Sequence, residues 1–209
     1  TKINGSLQVL NANQLTNLDG FENLTHVNGL ISIKNTTITN ITGLNNLDSI
    51  GGSLKIERCY QLNEIEGLNN IDTLNGDLFI SNCNNVVNFS GLSNLSHIDG
   101  YINISDLNLS SFIGLGSLNS IGGGLNLSNL GQSINLAGFN NLTYIGEGMS
   151  FVNNFIGFSG FNSLTTINGD LVIRSNNSMT TLDGFNSLTT IEKSLEIWRN
   201  SLLTQITGF

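Results

Sequence analysis

Two cysteines, Cys59 and Cys83, have the clearest chemical potential in this chain, and they stand 24 positions apart. Two thiols can form a disulfide when their Cα atoms lie ~4.4–6.8 Å apart, so the fold decides whether this pair can react. A pair of buried free thiols is the alternative, and both interpretations stay open. Two cysteines without histidines at ligand spacing do not predict a zinc site, and we expect neither a metal nor a cofactor.

The histidines and the paired aspartates do not predict a metal site. His26 and His97 occupy equivalent positions of a repeat, three units apart, which at ~4.8 Å per unit is too far to share one metal ion. Asp48 and Asp72 fall in neighbouring units, where two carboxylates could hold a cation such as Ca²⁺. No third acid extends that pair, so we interpret all four residues as solvated.

Catalytic machinery is not predicted either. The repeat register arranges no histidine and acid around any serine. The glycine run at 122–124 lacks the lysine and the following helix of a phosphate-binding loop. The residue types and their spacing therefore predict a protein that is not an enzyme.

Composition narrows the class of protein. The 209 residues suffice for one domain with a hydrophobic core, and 39% of them are hydrophobic while only 11% are charged. The formal net charge of −8, with seven lysines and arginines, argues against binding to nucleic acid and to anionic lipid. Apolar runs are only a few residues long, so we expect no membrane insertion in this segment.

An internal repeat organises the whole chain. Glycine followed by Phe or Leu returns at intervals of 22 to 24 residues. We predict a single solenoid over residues 1–209 with a partial unit at 1–19, and we interpret it as a segment of a longer chain. The full repeats start at residues 20, 43, 67, 91, 114, 138, 160 and 184, and a new unit begins at 208.

Each unit reads roughly G-[FL]-x-N-L-x-x-I-x-G-x-L-x-I, followed by a polar turn. Leu171 and Ile173 are spaced as in a short strand with one buried face, and no unit contains a run suited to a helix. The equivalent pairs are Ile31/Ile33, Leu54/Ile56, Leu78/Ile80, Ile102/Ile104, Leu125/Leu127, Met149/Phe151 and Leu195/Ile197. One unit cannot bury its own apolar side chains, but stacked copies can cover each other.

The prediction is therefore an all-β fold, a parallel β-solenoid with coils of about 24 residues. The recurring glycines are expected at corners, either for a left-handed backbone or for tight packing. Equivalent asparagines are expected to hydrogen-bond each other between coils, namely Asn23, Asn46, Asn70, Asn94 and Asn141. Stacking also brings Cys59 and Cys83 to about one coil spacing, within reach of a disulfide.

The segments NLTHVNGLISI at 23–33 and SLTTINGDLVI at 163–173 resemble the receptor L-domain repeat. That family includes the ligand-binding lobes of growth-factor and insulin-type receptors and repeats of microbial surface proteins, which the regular units here resemble more. The resemblance covers essentially the whole chain. It implies a right-handed, leucine-rich β-helix displayed at the cell surface or outside the cell. The cysteine-rich modules of the receptors are missing here, so no receptor function or binding residue carries over.

Aromatic residues supply the candidate partner contacts. The unit from 138 to 159 is the shortest, and we expect its Phe151 and Phe158 to fill the core. Tyr144 and Phe155 are predicted to lie at the surface, where they could contact a partner. Trp198 directly follows an inward strand position, so strand alternation predicts that it points outward as a contact anchor.

Glycosylation is a further expectation because eleven N-x-S/T sequons occur. In a secreted eukaryotic protein many would accept a glycan, although a chain with 35 asparagines also makes several by chance. The sequons are at Asn4, Asn23, Asn35, Asn40, Asn88, Asn94, Asn103, Asn108, Asn126, Asn141 and Asn176.

Three functions are compatible with these features. The first is a non-catalytic extracellular or cell-surface scaffold or adhesion protein that binds protein or glycan through its lateral faces. The second is the structural subunit of an extracellular filament that self-associates through uncapped coil ends. The third is ice binding, but the hydroxyl row it would need is interrupted by His26, His97 and Tyr144.

Overall fold

The computed structural model describes residues 1–131, 134–153 and 155–209. Each coil contributes one two-residue strand and one four-residue strand, and equivalent strands of neighbouring coils pair in parallel. The pairing register steps from Leu54 to Leu78 and on to Ile102, one repeat unit at a time. The predicted all-β solenoid and the length of its coils are therefore confirmed.

Two nine-stranded sheets run along the molecule. The short-strand sheet contains β1 (Lys2–Ile3), β3 (His26–Val27), β5 (Ser49–Ile50), β7 (Thr73–Leu74), β9 (His97–Ile98), β11 (Ser120–Ile121), β13 (Tyr144–Ile145), β15 (Thr166–Ile167) and β18 (Thr190–Ile191). The long-strand sheet contains β2 (Leu7–Leu10), β4 (Ile31–Lys34), β6 (Leu54–Glu57), β8 (Leu78–Ser81), β10 (Ile102–Ser105), β12 (Leu125–Ser128), β14 (Met149–Val152), β16 (Leu171–Arg174) and β19 (Leu195–Trp198).

A third side closes each coil with turns and short helical segments. Its regular elements are the strand pair β17 (Thr181–Leu182) and β20 (Gln205–Ile206) and the 3-10 helices Asp19–Phe21, Thr42–Leu44, Ser90–Leu92 and Ala137–Phe139. Asparagine starts several of these turns because its Oδ1 accepts the N–H two residues on, as Asn40 does from Thr42 at 3.2 Å and Asn88 from Ser90 at 3.0 Å.

The core is a column of aliphatic and aromatic side chains between the three sides. Within β4, β6, β10, β12, β14 and β16, the first and third residues are buried and the second and fourth are partly exposed. Leu54, Leu78 and Leu171 are at most 1% exposed. Each coil therefore buries the apolar side chains of the next coil. The alternate residues of one strand all face inward, and they are buried only when equivalent strands stack on each other.

The chain turns through a left-handed backbone conformation once per coil, directly after each long strand. The residues in this conformation have φ between 51° and 64° and are Asn11, Asn35, Arg58, Asn82, Asp106, Asn129, Asn153, Ser175 and Arg199. Asparagine and aspartate dominate the position because, after glycine, they tolerate a positive φ best. Part of the asparagine richness of this chain is therefore a backbone requirement.

The recurring glycines serve tight packing, which is one of the two predicted reasons. A Cβ at Gly43, Gly91 or Gly138 would lie 1.9, 1.8 or 2.1 Å from a backbone carbonyl oxygen of the preceding coil. Gly67 and Gly114 add a positive φ to the same close approach. Glycine recurs because only a residue without a side chain lets two coils meet backbone to backbone here.

The asparagine ladder differs from the prediction in its acceptor. Asn46 donates to the backbone carbonyl of Glu22 at 2.7 Å, and Asn94 donates to that of Asn69 at 2.6 Å. Equivalent side chains do not bond each other at this position, so that part of the prediction is wrong. The carbonyls after the 3-10 turns lie outside the strand ladders, and the asparagine amides supply the donors that they need.

Candidate binding face

The residues with chemical potential end up on different parts of the solenoid. Among the residues described, no group of three or more His, Cys, Asp or Glu side chains is close enough to hold a metal ion. Asp48 and Asp72 are both exposed, as predicted. His26 is partly buried, and its Nδ1 lies 2.8 Å from the hydroxyl of Thr25 rather than facing water alone.

One arrangement contradicts the expectation that no serine would meet a histidine and an acid. His97 Nδ1 lies 2.6 Å from Ser120 Oγ, and its Nε2 lies 2.8 Å from Asp99 Oδ1. Ser120 occupies the position of His97 one coil later, and Asp99 follows on the same face, so the register itself contained this signal. β11 is paired by β9 and β13 on both sides, so its backbone N–H groups serve the sheet rather than an oxyanion.

The two cysteines occupy equivalent positions of adjacent coils, and both side chains are buried. Cys59 Sγ lies 3.7 Å from the carbonyl of Ile33, and Cys83 Sγ lies 3.9 Å from that of Ile56. Its contact with Cys59 and its burial both raise the pKa of the Cys83 thiol. The same contact lowers the pKa of the Cys59 thiol. The disulfide stays a prediction.

Asparagine takes the role of these thiols in later coils. Asn176 is 0% exposed, its Nδ2 donates to the carbonyl of Phe151 at 3.3 Å, and its Oδ1 accepts from the N–H of Phe155 at 3.1 Å. The prediction of a glycan at Asn176 is therefore wrong for the folded chain, because its amide is enclosed by the core. Leu107 and Leu130 occupy the same position in two intervening coils and are 2% and 1% exposed, so this buried corner accepts both small polar and apolar side chains.

The other sequons differ in how free their amide nitrogen is. Nδ2 of Asn94 and Asn141 donates to backbone carbonyls, and Nδ2 of Asn126 donates to Asn103 at 2.9 Å. Glycosylation at the remaining sequons stays a prediction, and Asn4 and Asn108 are among those exposed at the surface.

The predicted aromatic contacts divide into two exposed residues and one buried one. Tyr144 and Trp198 are 38% and 39% exposed, as their strand positions predict. Phe155 is only 1% exposed, so the prediction that it lies at the surface is wrong. Its ring packs 5.3 Å from that of Phe151 and 5.9 Å from that of Phe158, where the shortened coil brings an extra aromatic ring into the core.

A shallow groove crosses the outer face of the long-strand sheet between β12 and β16. Its volume is about 330 Å³. We call it the Asn–Arg groove, and its outward-facing residues are Asn126, Ser128, Asn129, Ser150, Val152, Asn153 and Arg174. Next to it, on β19, the indole of Trp198 has guanidinium groups nearby, with the Arg174 Cζ 5.3 Å and the Arg199 Cζ 5.1 Å from the ring centre. Sequence reasoning named Trp198 but missed the groove.

Comparison with known proteins finds one similarity to a domain family, over part of the chain. The family model described as Receptor L domain matches residues 1–66, just under a third of the chain, and the same repeat continues in register beyond that match. The chain is a receptor L-domain-like solenoid. Receptor L domains are ligand-binding domains. No curated protein and no solved structure matches the chain.

Charge is unevenly distributed over this L-domain-like solenoid. On the outer face of the long-strand sheet, Lys34 pairs with Glu57 at 3.0 Å, and Lys55 lies 4.0 Å from Asp77. Arg174 belongs to neither of these ion pairs, and the segment from 107 to 169 contains Glu147 as its single charged residue. In the three described segments, no helix has the length and apolar character needed to cross a membrane.

Proposed function

We propose that the chain is a non-catalytic, extracellular or cell-surface binding solenoid that acts as a scaffold or adhesion module. Its ligand, a protein or a glycan, contacts the outer face of the long-strand sheet. The observation that carries this proposal is the receptor L-domain-like stacking, which presents the second and fourth residues of nine parallel strands as one continuous surface. Repeat solenoids commonly bind through such extended faces.

Two matched variants test which face binds. Ser105 on β10 and Thr73 on β7 are both outward and partly buried, and each can be replaced with arginine. With immobilised extracellular matrix proteins and a glycan panel as probes, Ser105→Arg is expected to weaken binding by at least about tenfold, because a bulky charge blocks the contact. Thr73→Arg is the control and leaves binding unchanged.

Binding by the wild-type protein that neither variant affects would contradict the proposed face. Turnover of any bound probe would contradict the non-catalytic part of the proposal. Thermal unfolding of both variants must match the wild type within a few degrees, so that a loss of binding is not a loss of fold.

A second candidate function is self-association through coil ends, as in a filament subunit. It is supported by the coil-to-coil contact itself, because equivalent strands such as β16 and β19 pair in parallel and in register, and the same pairing could join the coils of two subunits.

For this candidate, we expect the wild type to form rods that lengthen with concentration and Ile206→Asp to abolish the lengthening. Tyr60→Asp is the matched control, since Tyr60 is 52% exposed on a lateral surface. Negative-stain microscopy and light scattering provide the readout. Short rods of one length at every wild-type concentration would end the filament hypothesis.

A further inference from the structure

The geometry points to an acidic oligosaccharide, one that carries carboxylate or sulfate groups, as the ligand of the Asn–Arg groove. This inference rests on the proposed binding function and names the ligand class of one site on the proposed face. The site combines one guanidinium group with a row of amide and hydroxyl groups on neighbouring coils. No sequence motif or family match assigns a ligand to it.

The guanidinium of Arg174 supplies the charge that an acidic group would meet. It lies over the Trp198 ring, with its Cζ 5.3 Å from the ring centre, and this cation–π contact uses none of the five N–H donors of the group. No carboxylate of the described residues lies within ion-pair distance of Arg174. A carboxylate or sulfate could therefore accept two parallel hydrogen bonds from it.

The asparagines of the groove supply acceptors for hydroxyl groups. Asn126 Nδ2 donates to Asn103 Oδ1 at 2.9 Å, and Asn153 Nδ2 donates to Asn129 Oδ1 at 2.8 Å. Both amides thus use their donor side toward the preceding coil. The Oδ1 atoms of Asn126 and Asn153 accept no hydrogen bond from the residues that the structure describes, and the hydroxyl of Ser150 lies in the same groove.

The character of the groove favours a saccharide over a protein ligand. Protein hot spots bury aromatic or large apolar anchors in dry pockets, whereas Val152 is the one apolar side chain facing outward here. A shallow groove of amides and hydroxyls suits a ligand covered with hydroxyl groups. The ~4.8 Å spacing between strands is also comparable to the length of one pyranose ring, so neighbouring coils could contact successive sugars.

Two carboxylates lie near the groove, one at each end. Glu196 lies on β19, on the far side of Arg174 from β12 and β14. Asp106 lies at the opposite end, and its Oδ1 accepts a hydrogen bond from Asn129 at 2.9 Å. Glu147 accepts the hydroxyl of Tyr101 at a corner outside the groove. The protein is acidic as a whole, so attraction here is local and depends on Arg174.

The test measures binding of four probes to the full chain by isothermal titration calorimetry. The probes are a uronic-acid oligosaccharide, a sulfated oligosaccharide, a neutral oligosaccharide of the same length and an oligoglutamate peptide of matched charge. We expect one or both acidic saccharides to bind at least about tenfold more tightly than the neutral one, because a hydrogen bond to a charged group contributes the difference. The stronger acidic probe identifies carboxylate or sulfate as the recognised group.

Three variants place the binding in the groove. Arg174→Gln is expected to weaken acidic-saccharide binding at least about tenfold, and Asn126→Ala to weaken it several-fold with no change in charge. Arg58→Gln is the matched control, because it removes one exposed positive charge far from the groove and leaves affinity within twofold. Circular dichroism of each variant shows whether the fold is retained.

Two outcomes would overturn the inference. One is that neither acidic saccharide binds the wild type, or that each binds equally well to Arg174→Gln. The other is that oligoglutamate binds as tightly as the saccharides and depends equally on Arg174, which indicates an acidic protein segment as the ligand. In either case the proposed binding function survives if Ser105→Arg still weakens binding to the extracellular probes at least about tenfold.

Discussion

Replacement of Gly91 with alanine is expected to lower the free energy of unfolding by about 3 kcal/mol. A Cβ at this position would lie 1.8 Å from the carbonyl oxygen of Ile65 and 2.7 Å from the Cα of Glu66. Both are backbone atoms of the preceding coil, so no side chain can rotate away. The coils would have to separate locally, which weakens the strand pairing and the core packing on both sides.

Gly116→Ala is the matched control for this prediction. Apart from Gly116 and its two chain neighbours, no described residue has a heavy atom within 4 Å of a Cβ built at Gly116, so the free energy of unfolding should change by less than about 0.5 kcal/mol. Urea unfolding followed by circular dichroism and by Trp198 fluorescence measures both variants, and two probes reveal whether part of the array unfolds separately. Equal stability of the two variants would contradict the close-packing role of the recurring glycines.

Phe151→Ala is expected to destabilise the protein by about 3–5 kcal/mol. Phe151 is 0% exposed, and its ring centre lies 4.6 Å from that of Phe158 and 5.5 Å from that of Phe161. Truncation removes apolar contacts and leaves a cavity, because β14, which carries Phe151, is held in place by pairing with β12 and β16 on both sides. The effect should be largest in the coil from 138 to 159, where these rings concentrate.

Tyr144→Ala provides the comparison within the same coil. Tyr144 is 38% exposed, so its truncation should cost less than about 1 kcal/mol. Phe151→Leu should fall between the two, since it keeps an apolar side chain but loses ring volume. Thermal and urea unfolding measure all three, and a cost for Phe151→Ala no greater than that for Tyr144→Ala would show that this ring does not fill the core.

The stacked architecture could be predicted because two simple periodicities agree. Within a unit, Leu171 and Ile173 are two residues apart, which places both on one face of a strand. Between units, the same pair returns at a nearly constant interval, which only stacked coils can use. The burial of both residues confirms that local alternation and long-range repetition together determine the inward surface.

Departures from the repeat limited the prediction. Phe155 belongs to the one unit that is two residues shorter than most, so the alternation of its neighbours no longer indicates which side it faces. Asn176 looked like a glycosylation sequon, but a three-residue motif contains no information about burial. The contact of Ser120 with His97 follows from register, yet it also requires side-chain rotamers that the sequence does not specify.

The candidate groove shows a different limit. Its outward positions could be assigned from strand alternation, because Ser150 and Val152 flank an inward phenylalanine. Its depth depends on how small residues on β12 and β14 adjoin the long side chain of Arg174 on β16. The groove is formed by residues up to two coils apart, so it can be identified only when the order of the strands in the sheet and the side-chain directions are known.

The left-handed corner after each long strand allows the length of the solenoid to differ by whole coils. Because every coil begins and ends at an equivalent corner, a segment from one corner to the next, such as 59–82, is an interchangeable spacer. Its removal or duplication would leave all other side chains pointing in the same direction, inward or outward. Insertion or deletion of one residue within a strand would instead turn the apolar face of that strand toward water. The number of coils can therefore change without changing the surface residues that any single coil presents.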